Sequence, residues 1–189
     1  MHVRDAKNRE EVWLLDRLEE FDFEDPAFRS RDYILGVDDN NGKKTGFGRL
    51  RVHRTEDGEI CEVTNLGVLE DWRGHGVGAH ILEELVENAR ENGFETVYAL
   101  SPAPDYLSQF GFERTDTDSL PEILQKRHES IETRHPDAAP SVVDIESFHV
   151  PRRLRHRFGS EEAKTDAEER PEDFGIDPDT ATYKYDVSD

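Results

Sequence analysis

Along the first 70 residues, short apolar stretches alternate with polar clusters, and a helical repeat follows from Gly76. His2 to Asp5 predicts a first strand, and Asn8 is placed to cap a helix over Arg9 to Glu20 with Val12, Leu15 and Leu18 on one stripe. Tyr33 to Val37 is apolar, the cluster Asp38 to Gly42 is turn-forming, and Phe47 to Val52 alternates, which together predict a hairpin. A second turn at Glu56-Asp57-Gly58 leads into a strand from Ile60 to Val68. From Gly76 onward, Ile81, Leu82, Leu85, Val86 and Ala89 repeat at helical spacing, and Asn92-Gly93 supplies the stop. Thr96 to Leu100 predicts a buried strand, and Pro104 or Asp105 starts a short helix that ends at Gly111. Phe112 resumes an extended segment, Pro121 to Ile131 predicts a helix, and Ser141 to Ile145 a strand after the breaker run His135 to Pro140.

The pattern changes after Val150, so the chain divides into a domain over 1–150 and a C-terminal extension over 151–189. Pro151 to Phe158 carries four arginines and reads as a short basic helix. Ser160 to Asp179 is acidic, polar and poor in apolar side chains, which reads as a linker. Thr182, Tyr183, Lys184, Tyr185 and Val187 suit an added strand, so Ala181 to Val187 is expected to dock as a strand or clamp on the domain or a second subunit, with a wholly solvated acidic extension as the alternative.

Composition narrows the function classes. The chain has 189 residues and carries 44 Asp and Glu against 24 Lys and Arg, a net charge of -20. A surface of that sign repels phosphate backbones, so nucleic acid is not expected as a partner. No apolar run approaches the ~20 residues a bilayer-crossing helix needs, so no membrane is expected either. Met1 to Asp5 passes straight into a helical pattern without a secretory leader, which places the protein in the cytoplasm. Cys61 is the single cysteine, so no internal disulfide or cysteine-based metal cluster is expected. Lysine occurs only at positions 7, 43, 44, 126, 164 and 184. Arginine-weighted acidity of this kind resembles proteins of salt-loving archaea, where a Debye length of about 3 Å at 1 M salt screens self-repulsion.

The chemistry is concentrated between Ile60 and Phe112. Val68-Leu69-Glu70-Asp71-Trp72-Arg73-Gly74-His75-Gly76-Val77-Gly78 joins a strand to the most regular helix through a glycine-rich loop. Such a loop aims consecutive backbone N–H groups at an anion, and the helix dipole adds to the attraction. The run Arg-x-x-Gly-x-Gly lacks both the lysine of a Walker loop and the last glycine of a dinucleotide fingerprint. It resembles the acetyl-CoA pyrophosphate loop of the GNAT superfamily of N-acetyltransferases. The order of elements is also similar, down to Gln109-Phe110-Gly111-Phe112 closing the short helix. The resemblance implies an α/β GNAT fold with a mixed, mostly antiparallel central sheet flanked by helices, here followed by the acidic extension. It implies acetyl-CoA as co-substrate, with the backbone of Leu66, Gly67 and Val68 on the pantetheine arm and Arg73, Gly74, His75, Gly76, Val77 and Gly78 on the pyrophosphate.

Three further groups are candidates. Glu62 lies on the strand that ends at Val68 and matches a position used as general base in several GNAT enzymes. Acetylation needs a neutral amine, so a base within reach of the acceptor accelerates transfer. The alternative is a strand glutamate facing solvent or paired with a neighbouring arginine. Many family members carry a tyrosine where Leu107 stands. Tyr106 is one residue earlier, about 100° around a helix. It is the candidate general acid, with packing as its alternative. Arg49, Arg51 and His53 share one strand face, and Arg49 and Arg51 are candidates to hold a substrate carboxylate, with pairing to surface carboxylates as the alternative. His75 and His80 have no partner at ligand spacing, so no metal is expected.

The segment Tyr106 to Phe112 with Ser119-Leu120-Pro121 also resembles the amino-acid N-acetyltransferases that include N-acetylglutamate synthase. The expected activity is direct transfer of acetyl from acetyl-CoA to a primary amine, with a small amino acid favoured as acceptor. The alternatives are acetylation of a protein N-terminus or lysine, and a non-catalytic acyl-CoA-binding module. The sequence leaves the oligomeric state open, a homodimer included.

Overall fold

A computed structural model describes residues 1–157. The docked strand expected over Ala181 to Val187 and the linker before it lie outside the described residues. Among the described residues, seven strands form one sheet: β1 (His2–Asp5), β2 (Tyr33–Val37), β3 (Lys44–Thr55), β4 (Gly58–Val68), β5 (Thr96–Ser101), β6 (Glu113–Arg114) and β7 (Ala139–Asp144), in the order β1-β2-β3-β4-β5-β7-β6. Only the β4/β5 pair is parallel; every other neighbour is antiparallel. The mixed, mostly antiparallel sheet expected from the sequence is present.

Helices cover both faces. Alternation along each strand sends Tyr33, Leu35, Val37 and Phe47 towards α1 (Glu11–Glu20), and Tyr98 and Leu100 towards α4 (Glu122–Glu132). Ile34, Val63, Val97, Ala99 and Val143 face α2 (Val77–Glu91), α3 (Pro104–Ser108) and α5 (Arg152–Arg157) on the opposite side. Among the described residues no helix is long and apolar enough to cross a membrane.

The first helix departs from the sequence expectation. Leu14 and Leu18 are its buried residues, whereas Val12 is 70% and Leu15 44% exposed. Trp13 and Phe21 flank Leu14 and Leu18 in contact with Phe47, so the stripe follows the aromatic side chains rather than the i, i+3 spacing from Val12. Asn8 does not cap. Its side chain accepts from Arg31 Nε at 3.0 Å, and Glu10 takes the capping role by accepting the Lys7 backbone N–H at 2.8 Å.

The seat of α2 fixes where its N-terminus points. A Cβ built on Gly36, Gly46 or Gly48 would lie within about 3 Å of Val77, Ile81 or Leu85 side chains. The helix therefore rests on bare backbone of β2 and β3. That close approach carries its first turn to the end of β4.

Candidate active site

β4 and β5 pair only from Cys61↔Val97 to Val63↔Ala99 and then part. The divergence begins at a bulge. Phe47 faces Gly67 and Arg49 faces Thr64, so β4 carries one extra residue there, and Asn65 adopts a φ of 52°. The Asn65 amide donates to Tyr33 Oη at 3.0 Å, and the Tyr33 hydroxyl donates to Asp25 at 2.6 Å. Asp25 also pairs with Arg49 at 2.5 Å. Burial, reinforced by the Asp25 carboxylate, raises the Tyr33 phenol above its ordinary range, so it stays a hydrogen-bond donor. A buried polar chain thus braces the bulge from the segment between α1 and β2.

The gap between β4 and β5 opens into a cavity of about 500 Å³. Leu66 and Val68 line it together with Ala99 to Ala103, Tyr106 and Leu107. Gly67 points the other way, since a Cβ there would strike the Phe47 ring at 2.7 Å, so it offers only backbone to the cleft. Val68, Gly78 and Tyr106 also line a second cavity of about 210 Å³ beside the loop, so the two spaces meet at these residues.

That second cavity is bordered by Trp72, Arg73, Gly74, Gly76 and Val77. Gly74 and Gly76 hold φ values of 76° and 74°, a region that favours glycine and lets the loop fold back into α2. The His75 ring packs against Trp72, and its Nδ1 lies 2.8 Å from the Arg73 carbonyl, so this side chain braces the loop from behind. The first helical bond runs from His80 N–H to the Gly76 carbonyl, so the N–H groups of Val77, Gly78 and Ala79 open the helix ahead of it. A Cβ on Gly78 would lie 3.0 Å from Tyr106 Oη and 3.2 Å from Val68. This cradle of glycine, open N–H groups and an arginine fits a diphosphate, and the splayed strand fits a narrow arm leading from it.

The opposite end of the large cavity is made of side chains. Glu62 is 1% exposed; Arg127 Nε donates to its Oε2 at 2.8 Å and Nη2 to its Oε1 at 3.2 Å. His53 Nε2 is 2.8 Å from the same Oε2. An ionised carboxylate offers about four lone-pair sites, so three contacts leave capacity on Oε1. Thr64, next on this face, buries its hydroxyl oxygen without a hydrogen-bond partner. Arg127, which the sequence reading did not single out, comes from α4, 65 residues away along the chain.

The two candidate arginines separate. Arg49 is held by Asp25 and by Asp32 at 2.8 Å, is 4% exposed, and does not border the cavity. This corrects its expected place beside the substrate: two carboxylates from the α1–β2 segment occupy it. Arg51 does border the cavity and makes no hydrogen bond or ion pair with the described residues. Burial, then the Arg127 and Arg49 cations, pull its guanidinium below the ordinary value, and an arginine so placed still stays charged at neutral pH. Lys126, Arg127 and Arg134 on the same wall each have a carboxylate partner, Glu122, Glu62, and Asp22 with Glu24.

Tyr106 stands at the joint of the two cavities, packed edge-on to Phe110. Burial pushes its phenol up to about 12, partly offset by Arg153. Leu107 is buried in the core and touches the cavity wall. His80 lies beside Glu83 on α2, and among the described residues no group of three His, Cys, Asp or Glu is placed to hold a metal ion.

Comparison with known proteins agrees with this architecture. A model of the acetyltransferase (GNAT) family matches residues 2–112, more than half of the chain. Mycothiol acetyltransferase of Thermobifida fusca is 28% identical over 107 residues, covering 51% of this chain and 33% of that protein. The chain thus spans about a third of that relative. Among solved structures, N-acetylglutamate synthase from Neisseria gonorrhoeae, complexed with coenzyme A and N-acetyl-glutamate, gives a TM-score of 0.62 at 20% identity, over 76% of this chain and 35% of that one. Naa50 of Arabidopsis thaliana, bound to a bisubstrate analogue of CoA and a peptide, gives 0.53 at 18% identity, over 75% and 95%. At these identities the structures establish a shared fold.

Proposed function

Because the chain belongs to the GNAT family of acetyltransferases, we propose that it transfers acetyl from acetyl-CoA directly to the primary amine of a small, carboxylate-bearing acceptor. The observation that carries the acceptor is Arg51. In a chain of net charge -20, this half-buried guanidinium faces the cavity with no ion pair, while the other cations of that wall are matched. An acceptor carboxylate supplies the missing anion, and the buried Thr64 hydroxyl offers it a second hydrogen bond.

The loop Arg73 to Gly78 and the open N–H groups of α2 would hold the diphosphate of acetyl-CoA, and the β4 backbone from Leu66 to Val68 its pantetheine arm. The bound thioester supplies an activated acetyl group, whose acyl carbon passes to the amine nitrogen as the C–S bond breaks and the nitrogen gives its second proton to solvent. Glu62 takes the proton that the acceptor ammonium must lose, directly or through one water, on its less occupied Oε1. Arg127 and His53 fix the carboxylate while it does so. Tyr106 acts by hydrogen bonding rather than by proton transfer. A phenol near 12 is a weaker acid than a thiol of about 8.5, so it steadies the departing thiolate and solvent protonates it.

The peptide-bound relative keeps a second reading in view, acetylation of a protein N-terminus. The test is thiol release from acetyl-CoA with a panel of amines: glutamate, its α-amide, a peptide with a free N-terminus, and a lysine peptide. Release that depends on free amino acids and falls with the amide supports the proposal. Preference for the peptides would replace the acceptor assignment, and CoA binding without amine-dependent release would remove the enzymatic reading.

A further inference from the structure

We propose that the basic helix α5, which lies beyond the matched stretch 2–112, completes the cofactor site by placing Arg153 and Arg157 on the diphosphate of CoA. The proposal rests on the acetyl-CoA reading given above. Its motivation is the position of four arginines within six residues of an otherwise acidic chain. Leu154 anchors α5 in the core cluster shared with Leu82, Leu85 and Val86, and Arg155 ties it to Glu83 of α2 at 2.8 Å. Arg153 reaches the Gln109 side chain at the end of α3. These contacts fix which way the helix faces.

Arg153 and Arg157 are four residues apart and so share one side of α5. Both border the cavity of about 210 Å³ whose other walls are Trp72, Arg73, Gly74, Gly76, Val77 and Gly78. Tyr106, which lines both cavities, borders the smaller one together with Arg153, which places this cation near the joint between loop cavity and cleft. Three guanidiniums therefore surround the opening first turn of α2. Open N–H groups alone give a diphosphate a neutral cradle, whereas arginines add charge-assisted bonds of suitable geometry. In a chain of net charge -20, a dianionic group approaches against a repulsive field, and a local cationic rim offsets it.

The test measures binding of CoA and dephospho-CoA, which lacks the 3′-phosphate, by calorimetry to the full chain. Wild type is compared with Arg153→Gln, Arg157→Gln and the double variant, with thermal stability recorded for each. Each single change is expected to weaken both ligands about tenfold, and to the same degree. Between about 0.2 and 2 M KCl, wild-type affinity is expected to fall more steeply than that of the double variant, because fewer charge contacts remain to be screened. Should a glutamine variant lose its fold, Arg157→Lys keeps the charge without the planar fork and is expected to retain the salt slope with weaker binding. Unchanged affinity in a folded double variant would overturn the proposal. A loss seen with CoA and absent with dephospho-CoA would also overturn it, by moving the arginines to the 3′-phosphate. Wild-type protein that binds no CoA fails in a different way, since it removes the acetyl-CoA reading beneath the proposal.

Discussion

The two ends of the cleft are built from different materials. The loop end is mostly main chain: glycines at 74, 76 and 78, open N–H groups at the start of α2, and the bare edge of β4 beyond Val63. The end proposed to take the acceptor is made of side chains, Glu62, Arg127, His53, Arg51 and Thr64, brought from β3, β4 and α4. A backbone site binds a group common to a whole family and tolerates change around it. A side-chain site can be rewritten by single substitutions, which suits acceptor choice.

This contrast can be broken experimentally, and the largest effect is expected at Glu62. Glu62→Gln should lower kcat about 100-fold with the KM for acetyl-CoA unchanged. Arg127→Gln, which breaks the same ion pair without removing the carboxylate, should cost less in kcat. Equal losses in the two variants, each matched by a fall in Tm, would make Glu62 a brace. Next comes Arg51→Met, expected to raise the KM for a carboxylate-bearing amine at least about tenfold and to leave its amide analogue unaffected. Loss on both acceptors would show that Arg51 shapes the wall instead of reading charge.

At the glycines of the loop end the effects should be smaller and confined to the cofactor. Gly78→Ala puts a methyl 3.0 Å from Tyr106 Oη in a helical position that tolerates alanine. The KM for acetyl-CoA should rise by the equivalent of about 1 kcal/mol, roughly fivefold, with Tm preserved. Gly76→Val is a blunter probe, since its φ of 74° adds backbone strain to the steric block. Smallest is a change remote from both ends. The Arg4 guanidinium, 2.8 Å away, holds the Glu10 carboxyl down at about 2 despite its burial. A depressed carboxylate stabilises the fold above its unfolded value of about 4.3, and that contribution is lost as pH falls towards 2. Glu10→Gln should therefore lower Tm at pH 7, with the gap to wild type closing across that acidic window and kcat unchanged at neutral pH.

How much could be read in advance divides along the same line. The loop, the strand before it and the helix after it are contiguous, and their signals are glycine positions and a 3.6 period, which the sequence displays directly. Leu66, Val68, Arg73 and Gly78 stand along the cleft and its loop. The acceptor end depends on pairs far apart in the chain. Glu62 and Arg127 are separated by 65 residues, and Arg49 and Asp25 by 24. No local pattern says which of two alternating arginines will be matched by a distant carboxylate, so Arg49 and Arg51 looked equivalent and are not. The stripe on α1 was misread for a related reason. Trp13, Phe21 and Phe23 gather around Phe47, and that aromatic cluster, not the spacing of the aliphatic residues, decides which side of the helix is buried.

The bare backbone beneath α2 also constrains how this chain could diverge. With a Cβ on Gly48 lying 2.9 Å from Ile81, 3.0 Å from Leu85 and 3.2 Å from Leu66, a methyl at 48 is admissible only if the helix side chains at 81 and 85 both give way. Gly48→Ala and trimming substitutions at 81 and 85 should therefore be harmful separately and better tolerated together, a case of sign epistasis between strand and helix. Homologous chains that lose the glycine should carry the smaller partners.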